Sequence, residues 1–318
     1  MAIIPARAPY KITQNIDNLS ITISVWCDGD TQPANPQYTV NKTSYEDGVP
    51  EDLSIDISPY IRNYFDMIPV QTPSSSTIVS KCEFLSVELN INGTIENHNA
   101  VNGWSEPSTV FHFDRWQTKK SIYPETLSQI TISKDVTTVD YVLSDGTFTT
   151  LTPTDVSRYP VIPVAFNDLS DTNSLKIVVH YPGNDITYPF SVDCPYQSGT
   201  IGFVNSVGQW EYFDVLGKQN LTYNRTSSDY IAASDHQTVM YNANGRETYT
   251  FRTGWVDDQF RRVVNDLMVS EHIIWNQTTI NIKLKLVDNS KERLFTRSDG
   301  MLSYEFNFEN ATTMIPTI

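Results

Sequence analysis

The sequence predicts a mainly β protein made of two or three β-sandwich-like modules in tandem, with one short and one longer amphipathic helix. Three observations lead to this fold class. Apolar and polar residues alternate along many short runs, which is the period of a half-buried strand. Glycine, proline, asparagine and aspartate separate these runs. The 318 residues exceed one typical domain, and 39% are hydrophobic, which suffices for several cores.

The first predicted module covers residues 18–118 and follows an extended N-terminal arm at residues 1–17. Its clearest strand runs from Leu19 to Trp26, where apolar and hydroxyl side chains alternate. Phe84 to Ile91 shows the same alternation, and Asn92-Gly93 after it is typical of a type I′ hairpin turn. Two further strands are expected at Gln37 to Val40 and at Val110 to Phe113.

A short helix is predicted within this module, from Ser58 to Phe65. Ser58 suits the N-cap and Pro59 suits the first helical position. The apolar residues that follow are spaced three and four apart. We therefore expect a helix that lies across an edge or an end of a sheet.

The second predicted module, residues 119–198, is a smaller β domain. The loop from Ser157 to Asp171 contains Pro160 and Pro163 and is therefore not expected to form a strand interior. Its strands are expected at Ser128 to Ile132, Thr138 to Leu143, Thr147 to Leu151, Leu175 to Tyr181 and Asp185 to Val192.

The third predicted module, residues 199–318, begins with an aromatic-rich hairpin from Gly199 to Phe213. Asn244-Gly245 is read as another tight turn. The longer helix is placed at about residues 254–273, because one apolar stripe has helical spacing. That stripe consists of Phe260, Val263, Val264, Leu267 and Met268. We assign Phe260 to the core of this module.

Charge and cysteine content exclude several classes of protein. A formal net charge of −15 repels phosphate, so direct sequence-specific binding of nucleic acid is not expected. Cys27, Cys82 and Cys194 are odd in number and lack CxxC spacing, so we expect reduced, buried thiols without a disulfide or zinc. We also expect no export signal and no membrane span, because the sequence has no sufficiently long apolar run.

Catalytic motifs are missing from the sequence. It contains no GxSxG, HExxH, GxxxxGK[ST] or GxGxxG pattern. None of the five histidines pairs with another at a spacing of two or four. His112 and His180 lie in strand-like runs and are interpreted as surface or cross-strand residues. We therefore expect a protein that is not an enzyme and has no cofactor or metal.

Several segments resemble tail proteins of Bacteroidetes phages and prophages. The stretch from Ile201 to Phe213 is similar to a hairpin motif of those proteins, and Thr253 to Glu271 is similar to their threonine-glycine-tryptophan helix. Ala6 to Tyr10, Tyr38 to Lys42 and Ile57 to Tyr64 resemble the start of such chains in crAss-like phages. Residues 120–190 add nothing to this resemblance.

The resemblance implies a structural component of a virion tail or head–tail junction, assembled in the bacterial host cytoplasm. Its partners would be copies of itself in a cyclic homo-oligomer and other tail, ring or portal-proximal proteins. Candidate interface residues are Trp210, Tyr212, Trp255, Pro9 and Tyr10, and residues 3–10 are expected to grip a neighbour by strand addition. Core packing remains an alternative for Trp210, Tyr212 and Trp255.

Two other functions stay open. A carbohydrate- or receptor-binding module would use tryptophan faces for sugar rings, and candidates are Trp104, Trp116, Trp210, Trp255 and Trp275. A virion-associated hydrolase is the least favoured alternative, because it requires two carboxylates that face each other across a cleft.

Overall fold

The protein is mainly β, as the sequence predicts. The computed structural model describes residues 3–45, 48–67, 79–82, 84–104, 120–122, 128–132, 135–143, 146–153, 159–164, 175–192, 197–231, 233, 237–256, 258–276, 281–287, 295–296 and 302–311. The predicted strand at Val110 to Phe113 lies outside the described residues.

The N-terminal third forms a five-stranded sheet in the order β1-β8-β7-β3-β4. β2 and β5 form a separate antiparallel pair, and helix α1 (Ser58–Met67) lies between β5 and β6. The strands are β1 (Ile3–Pro5), β2 (Lys11–Ile16), β3 (Asn18–Cys27), β4 (Tyr38–Thr43), β5 (Glu51–Asp56), β6 (Val79–Lys81), β7 (Phe84–Ile91) and β8 (Thr94–Val101).

Local sequence explains this sheet well. Leu19, Ile21 and Ile23 alternate along β3 and are fully buried, which confirms the predicted strand. Asn92 and Gly93 both have positive φ, at 50° and 92°, as the predicted turn requires. The predicted short helix is also confirmed, and Ile61 and Phe65 are buried on one face of α1.

The N-terminal arm packs on its own chain. β1 pairs in parallel with β8, and β2 pairs with β5. Ile4 is fully buried. These contacts correct the expectation that residues 3–10 grip a neighbour by strand addition, because the backbone of Ile3–Pro5 already pairs with β8 of the same chain.

Two sheets contain the strands of the middle third. One has the order β12-β11-β14-β15-β9 and the other the order β10-β13-β6. The strands are β9 (Lys120–Ile122), β10 (Ser128–Thr131), β11 (Thr138–Val142), β12 (Phe148–Leu151), β13 (Tyr159–Val164), β14 (Leu175–Tyr181) and β15 (Asn184–Val192). Because β6 pairs with β13, the sheet β10-β13-β6 joins strands from the first two predicted modules. The predicted domain boundaries, 1–17, 18–118, 119–198 and 199–318, stay predictions.

β13 corrects the expectation that Pro160 and Pro163 exclude a strand. Pro160 lies opposite Ser80 on β6, and Pro163 lies opposite Gln129 on β10. Each proline removes only one N–H donor, and the ladders on the two sides continue through the neighbouring residues. Ile162 between them is fully buried, which favours the strand.

The C-terminal third closes into a barrel in the order β16-β17-β18-β23-β20-β19. Helix α2 (Arg261–Val269) follows a 3₁₀ turn at Asp258–Phe260. The strands are β16 (Gln197–Val204), β17 (Trp210–Ile231), β18 (Thr238–Arg252), β19 (Ile273–Asn276), β20 (Asn281–Leu286), β21 (Phe295–Thr296), β22 (Leu302–Ser303) and β23 (Glu305–Asn310).

The barrel confirms the aromatic hairpin and the buried helix stripe. Phe260, Val263 and Leu267 are at most 1% exposed, so Phe260 is a core residue as predicted. The helix is shorter than the predicted range 254–273. The helix begins later than predicted because Thr253 and Val256 form backbone hydrogen bonds with Tyr304 and Leu302. It ends earlier than predicted because strand β19 begins at Ile273.

The prediction of a turn at Asn244-Gly245 is wrong. Both residues lie inside β18, opposite Thr226 and Arg225 of β17. The chain reverses instead beyond the pair Ile231–Thr238. Asn-Gly indicates a hairpin only where its two flanks pair with each other, and here both flanks pair with β17, next to an irregularity in register.

The expectation of reduced cysteines is also wrong for two of the three. Cys27 at the end of β3 forms a disulfide with Cys82, which precedes β7. The two Cα atoms are 5.4 Å apart because β3 and β7 pair in the sheet. A separation of 55 residues gave no local signal of this pairing. Cys194 lies outside the described residues.

Candidate functional site

A cluster of charged side chains joins the N-terminal segment to the barrel. The Arg7 side chain is 6% exposed, and its Nε donates to the backbone oxygen and Oδ1 of Asn102 at 3.2 and 2.9 Å. Arg7 Nη1 and Arg62 Nη2 both pair with Glu271 Oε2. Asp66 lies near Arg7, with Nη2 and Oδ1 3.9 Å apart. The cluster thus ties residue 7 and α1 to the segment after α2.

The electrostatics of this cluster favour bracing over proton transfer. Burial alone would raise the pKa of Glu271, but Arg7 and Arg62 outweigh it and hold that pKa below its usual value. Burial, helped by the charge of Arg7, lowers the pKa of His272, although Asp66 opposes this. Near neutral pH the carboxylate is therefore ionised and held, and the imidazole is neutral.

A recess of about 410 Å³ lies beside the cluster. The hydroxyl group of Ser58 faces this recess. It donates to Asp56 Oδ1 at 2.7 Å, so it is used in a hydrogen bond at the start of α1. The recess is lined by Ala6, Arg7, Ala8, Pro9, Ser58, Pro59, Arg62, Asn63 and Asp66. Among these lining residues, no nucleophilic side chain lies beside a second lining residue that could act as its general base.

Backbone packing strengthens the same joint. A Cβ on Gly103 would lie 2.4 Å from the backbone oxygen of Ser206, and one on Gly208 would lie 2.5 Å from the backbone nitrogen of Asn102. The Trp104 N–H donates to the oxygen of Ser206 at 2.9 Å. The backbone of the turn between β16 and β17 therefore packs directly against the backbone of the segment after β8.

Buried polar groups behind that turn are used for structure. Ser206 Oγ donates to Asp266 Oδ2 at 3.0 Å, and Asn205 Nδ2 donates to Glu211 Oε2 at 3.2 Å. Sequence reasoning missed Asp266 and Glu211, because a single acidic residue inside an apolar or aromatic stretch carries no pattern. In the described part of the chain, no group of three or more His, Cys, Asp or Glu side chains could hold a metal ion.

The predicted interface residues lie in different environments. Trp210 is half-buried and stacks with Tyr212, and their ring centroids are 6.2 Å apart. Tyr212 is 2% exposed, so the structure corrects its assignment as a surface contact. Trp255 is 45% exposed and Pro9 is exposed. Tyr10 is half-buried against His98.

The histidine interpretation is confirmed for His180. Its Nε2 lies 3.0 Å from Asp140 Oδ2 on the paired strand β11, and its Nδ1 lies 2.9 Å from Asp185 Oδ1. Hydrogen bonds to Asp185 and Asp140 raise the pKa of His180. His112 and His236, like Trp116, lie outside the described residues.

One exposed feature of the barrel is a two-stranded extension, which we call the ribbon and define as residues 223–247. β17 and β18 pair with each other from Tyr223–Glu247 to Ile231–Thr238. β23 pairs with β18 only at Thr248–Arg252. Among the described strands, none pairs with the outer edges of the ribbon. At about 3.3 Å per residue, the ribbon reaches roughly 25–30 Å beyond the barrel ladder.

The ribbon exposes apolar side chains. Tyr223, Asn224 and Arg225 are consecutive and all exposed, so both faces of β17 are accessible there. Tyr223 is 66% exposed, Ile231 68% and Met240 50%. Tyr223 lies at the base of the ribbon, whereas Tyr230, Ile231 and Met240 lie together near its tip and are each at least half exposed. Neighbouring large apolar groups that are exposed are typical of a contact surface. Sequence reasoning missed the ribbon because Asn244-Gly245 divided β18 at the wrong place.

Comparisons with known proteins identify no family. No protein-family model matches the sequence, and no curated protein matches it significantly. The first four Ig domains of Dscam1 isoform 4.44 align at 8% identity and a TM-score of 0.20, covering 81% of this chain and 68% of that one. SGBP-B of a Bacteroides ovatus mixed-linkage glucan utilization locus, in complex with a mixed-linkage heptasaccharide, aligns at 11% identity and a TM-score of 0.16, covering 92% of this chain and 68% of that one. TM-scores this low do not identify a shared fold.

Proposed function

We propose that this chain is a structural component of a bacteriophage tail or head–tail junction, which forms a multi-copy ring or hub through protein–protein contacts. The observation that carries the proposal is the ribbon, which exposes Tyr223, Ile231 and Met240. The order of the phage-like segments from Ala6 to Glu271 supports the assignment to a virion.

The physical argument begins with the stability of the ribbon. A two-stranded ribbon is marginal in water by itself, because few of its apolar groups are buried. Its unpaired edges also offer N–H and C=O groups to any strand that approaches. Both deficits are removed when the ribbon packs on another protein. The ribbon is thus a reason for this chain to assemble.

The charged joint supports a structural role as well. Arg7, Arg62 and Glu271 connect segments that are far apart in sequence, and they hold the N-terminal sheet to the barrel. An assembly subunit benefits from this rigidity, because flexible segments that must become ordered on binding lower the affinity. Within this cluster, Arg7 and Arg62 pair with Glu271, which supports a bracing role for these side chains.

The proposed partners are copies of this chain and other tail, ring or portal-proximal virion proteins. A net charge of −15 argues against a grip on nucleic acid. Among the described residues, no helix is long and apolar enough to span a membrane. The proposed location is the virion, with assembly in the cytoplasm of the bacterial host.

The test is co-expression of the full chain with the neighbouring virion proteins, followed by size-exclusion chromatography and mass spectrometry of each peak. The proposal expects a stable co-complex or a ring-sized oligomer. A chain that stays monomeric and elutes apart from all virion proteins would contradict it.

A carbohydrate- or receptor-binding module is the second candidate, favoured by Trp255. This side chain is 45% exposed, and an exposed indole face suits stacking on a sugar ring. Glycan-array binding that Trp255→Ala abolishes, without loss of thermal stability, would support this candidate. Assembly with virion proteins that Trp255→Ala leaves unchanged would favour the structural role.

A further inference from the structure

The disulfide between Cys27 and Cys82 lies where the N-terminal sheet meets the edge of the sheet β10-β13-β6. Cys27 is the last residue of β3, and Cys82 directly follows β6. β6 ends its own sheet and, among the described strands, pairs only with β13. The bond therefore fastens the end of β3 to the segment that forms this edge.

The pairing of β6 with β13 is short. It contains three residue pairs, from Val79–Val161 to Lys81–Tyr159, and the middle pair includes Pro160, which has no N–H group to donate. A short strand gains stability when its ends are fixed, because fewer conformations compete with the paired one. The disulfide fixes the chain directly after Lys81 and so stabilises this pairing.

Strand pairing holds the two cysteines together independently of the bond. β3 and β7 pair over seven residues as far as Cys27–Leu85, and the Asp28 N–H donates to the Phe84 backbone oxygen at 3.0 Å. The fully buried apolar residues of these two strands include Ile21, Ile23, Val25 and Leu89. We therefore expect the sheet to persist in the reduced chain, with both thiols in place for oxidation.

Small reagents can reach the two sulfur atoms. Both cysteine side chains are half-buried and pack against the N-terminal core. Thiol–disulfide exchange requires access of the attacking group to sulfur, and partial exposure provides that access. The bond can therefore form and break without unfolding of the sheet.

We propose that Cys27 and Cys82 form a site of reversible oxidation that fastens β6 to the N-terminal sheet. A small disulfide such as glutathione disulfide is the oxidant. The Cys27–Cys82 bond forms while the S–S bond of the reagent breaks, and the two thiol protons and two electrons leave in two molecules of glutathione.

The timing of this oxidation rests on the proposed function, which places assembly in the bacterial cytoplasm. Cytoplasmic thiols are kept reduced, whereas disulfides persist outside the cell. The chain thus folds and assembles as a dithiol, and β6 is fastened when the particle reaches oxidising surroundings.

Thiol trapping tests the redox state of the pair. The full chain is expressed in bacterial cytoplasm and alkylated with N-ethylmaleimide during lysis, and a second sample is treated with glutathione disulfide before alkylation. Mass spectrometry is expected to find Cys27 and Cys82 alkylated in the first sample and joined in the second. Dithiothreitol is expected to restore both thiols without denaturant.

Amide hydrogen exchange measures what the bond does. Oxidation is expected to slow exchange at residues 79–82 and along β13 by roughly tenfold or more, and to leave the barrel strand β16 unchanged. Cys82→Ser is expected to keep the fast exchange of the reduced chain after oxidation. Cys194→Ser, the matched control, is expected to respond like the unmodified chain.

Three results would overturn the inference. These are a disulfide already present in the trapped sample, reduction that requires denaturant, and oxidation that leaves exchange at β6 and β13 unchanged. A co-complex with virion proteins in any of these cases would leave the proposed function standing. Reversible oxidation in a chain that joins no virion protein would remove the proposed function and keep the redox site.

Discussion

Loss of the disulfide is expected to destabilise the N-terminal sheet strongly. Cys27 and Cys82 close a loop that contains β4, β5, α1 and β6. For a sequence separation of 55 residues, the chain-entropy relation gives a loss of about 4 kcal/mol at 25 °C when the bond is removed. With a urea dependence of about 2 kcal/mol per molar, the unfolding midpoint falls by roughly 2 M.

The assay is urea unfolding of Cys82→Ser, followed by circular dichroism and tryptophan fluorescence. Cys194→Ser is the matched control, because it removes a thiol and leaves the disulfide in place. Thiol titration of the unfolded, unreduced chain is expected to find one free cysteine among the three. Three reactive thiols, or equal midpoints for the two variants, would refute the reasoning.

Three further predictions concern the joint and the middle sheet. Gly103→Ala places a Cβ 2.4 Å from a backbone oxygen and is expected to cost ~1–3 kcal/mol in chemical unfolding; an unchanged midpoint would contradict the close packing. Glu271→Gln is expected to destabilise the protein near neutral pH. Because Arg7 holds the pKa of Glu271 below normal, this difference should disappear as the pH falls through that pKa, and a difference that persists in acid would contradict it. His180→Gln should cost more stability at pH 5.5 than at pH 8.5, because the raised pKa of His180 contributes stability below its ordinary value and loses it as the pH rises; NMR titration of the imidazole measures that pKa directly.

Local patterns predicted the parts of the fold that local physics determines. Leu19 to Trp26 alternates because one face of β3 is buried, and Ser58-Pro59 starts α1 because both residues suit the first turn. Asn92-Gly93 forms its turn because two tightly paired strands require positive φ there. In each case, the cause and its effect lie within ten residues.

The errors arose where distant segments decide the structure. Asn244-Gly245 became part of a strand because β17 is long enough to pair with both of its flanks. β13 forms despite Pro160 and Pro163, because each proline removes only one N–H donor from the pairing with β6 or β10. The cysteines paired because β3 and β7 are neighbours in the sheet, which spacing alone does not reveal.

The candidate site was only partly predictable for the same reason. Arg7 and Glu271 meet across 264 positions, and neither lies in a motif that suggests an ion pair. Composition did predict an acidic chain that avoids phosphate. It did not predict that the ribbon is exposed, because the sequence alone did not place this surface at the exterior.

The measurement that tests the central claim most directly is the molar mass of the full chain by light scattering over a range of concentrations, beside the Tyr223→Asp, Ile231→Asp, Met240→Asp variant. The account predicts that the mass of the unmodified chain rises to a multiple of one chain and reaches a plateau, while the variant stays near one chain. A mass of one chain at every concentration, or equal assembly by the variant, would contradict the claim that the ribbon drives self-assembly.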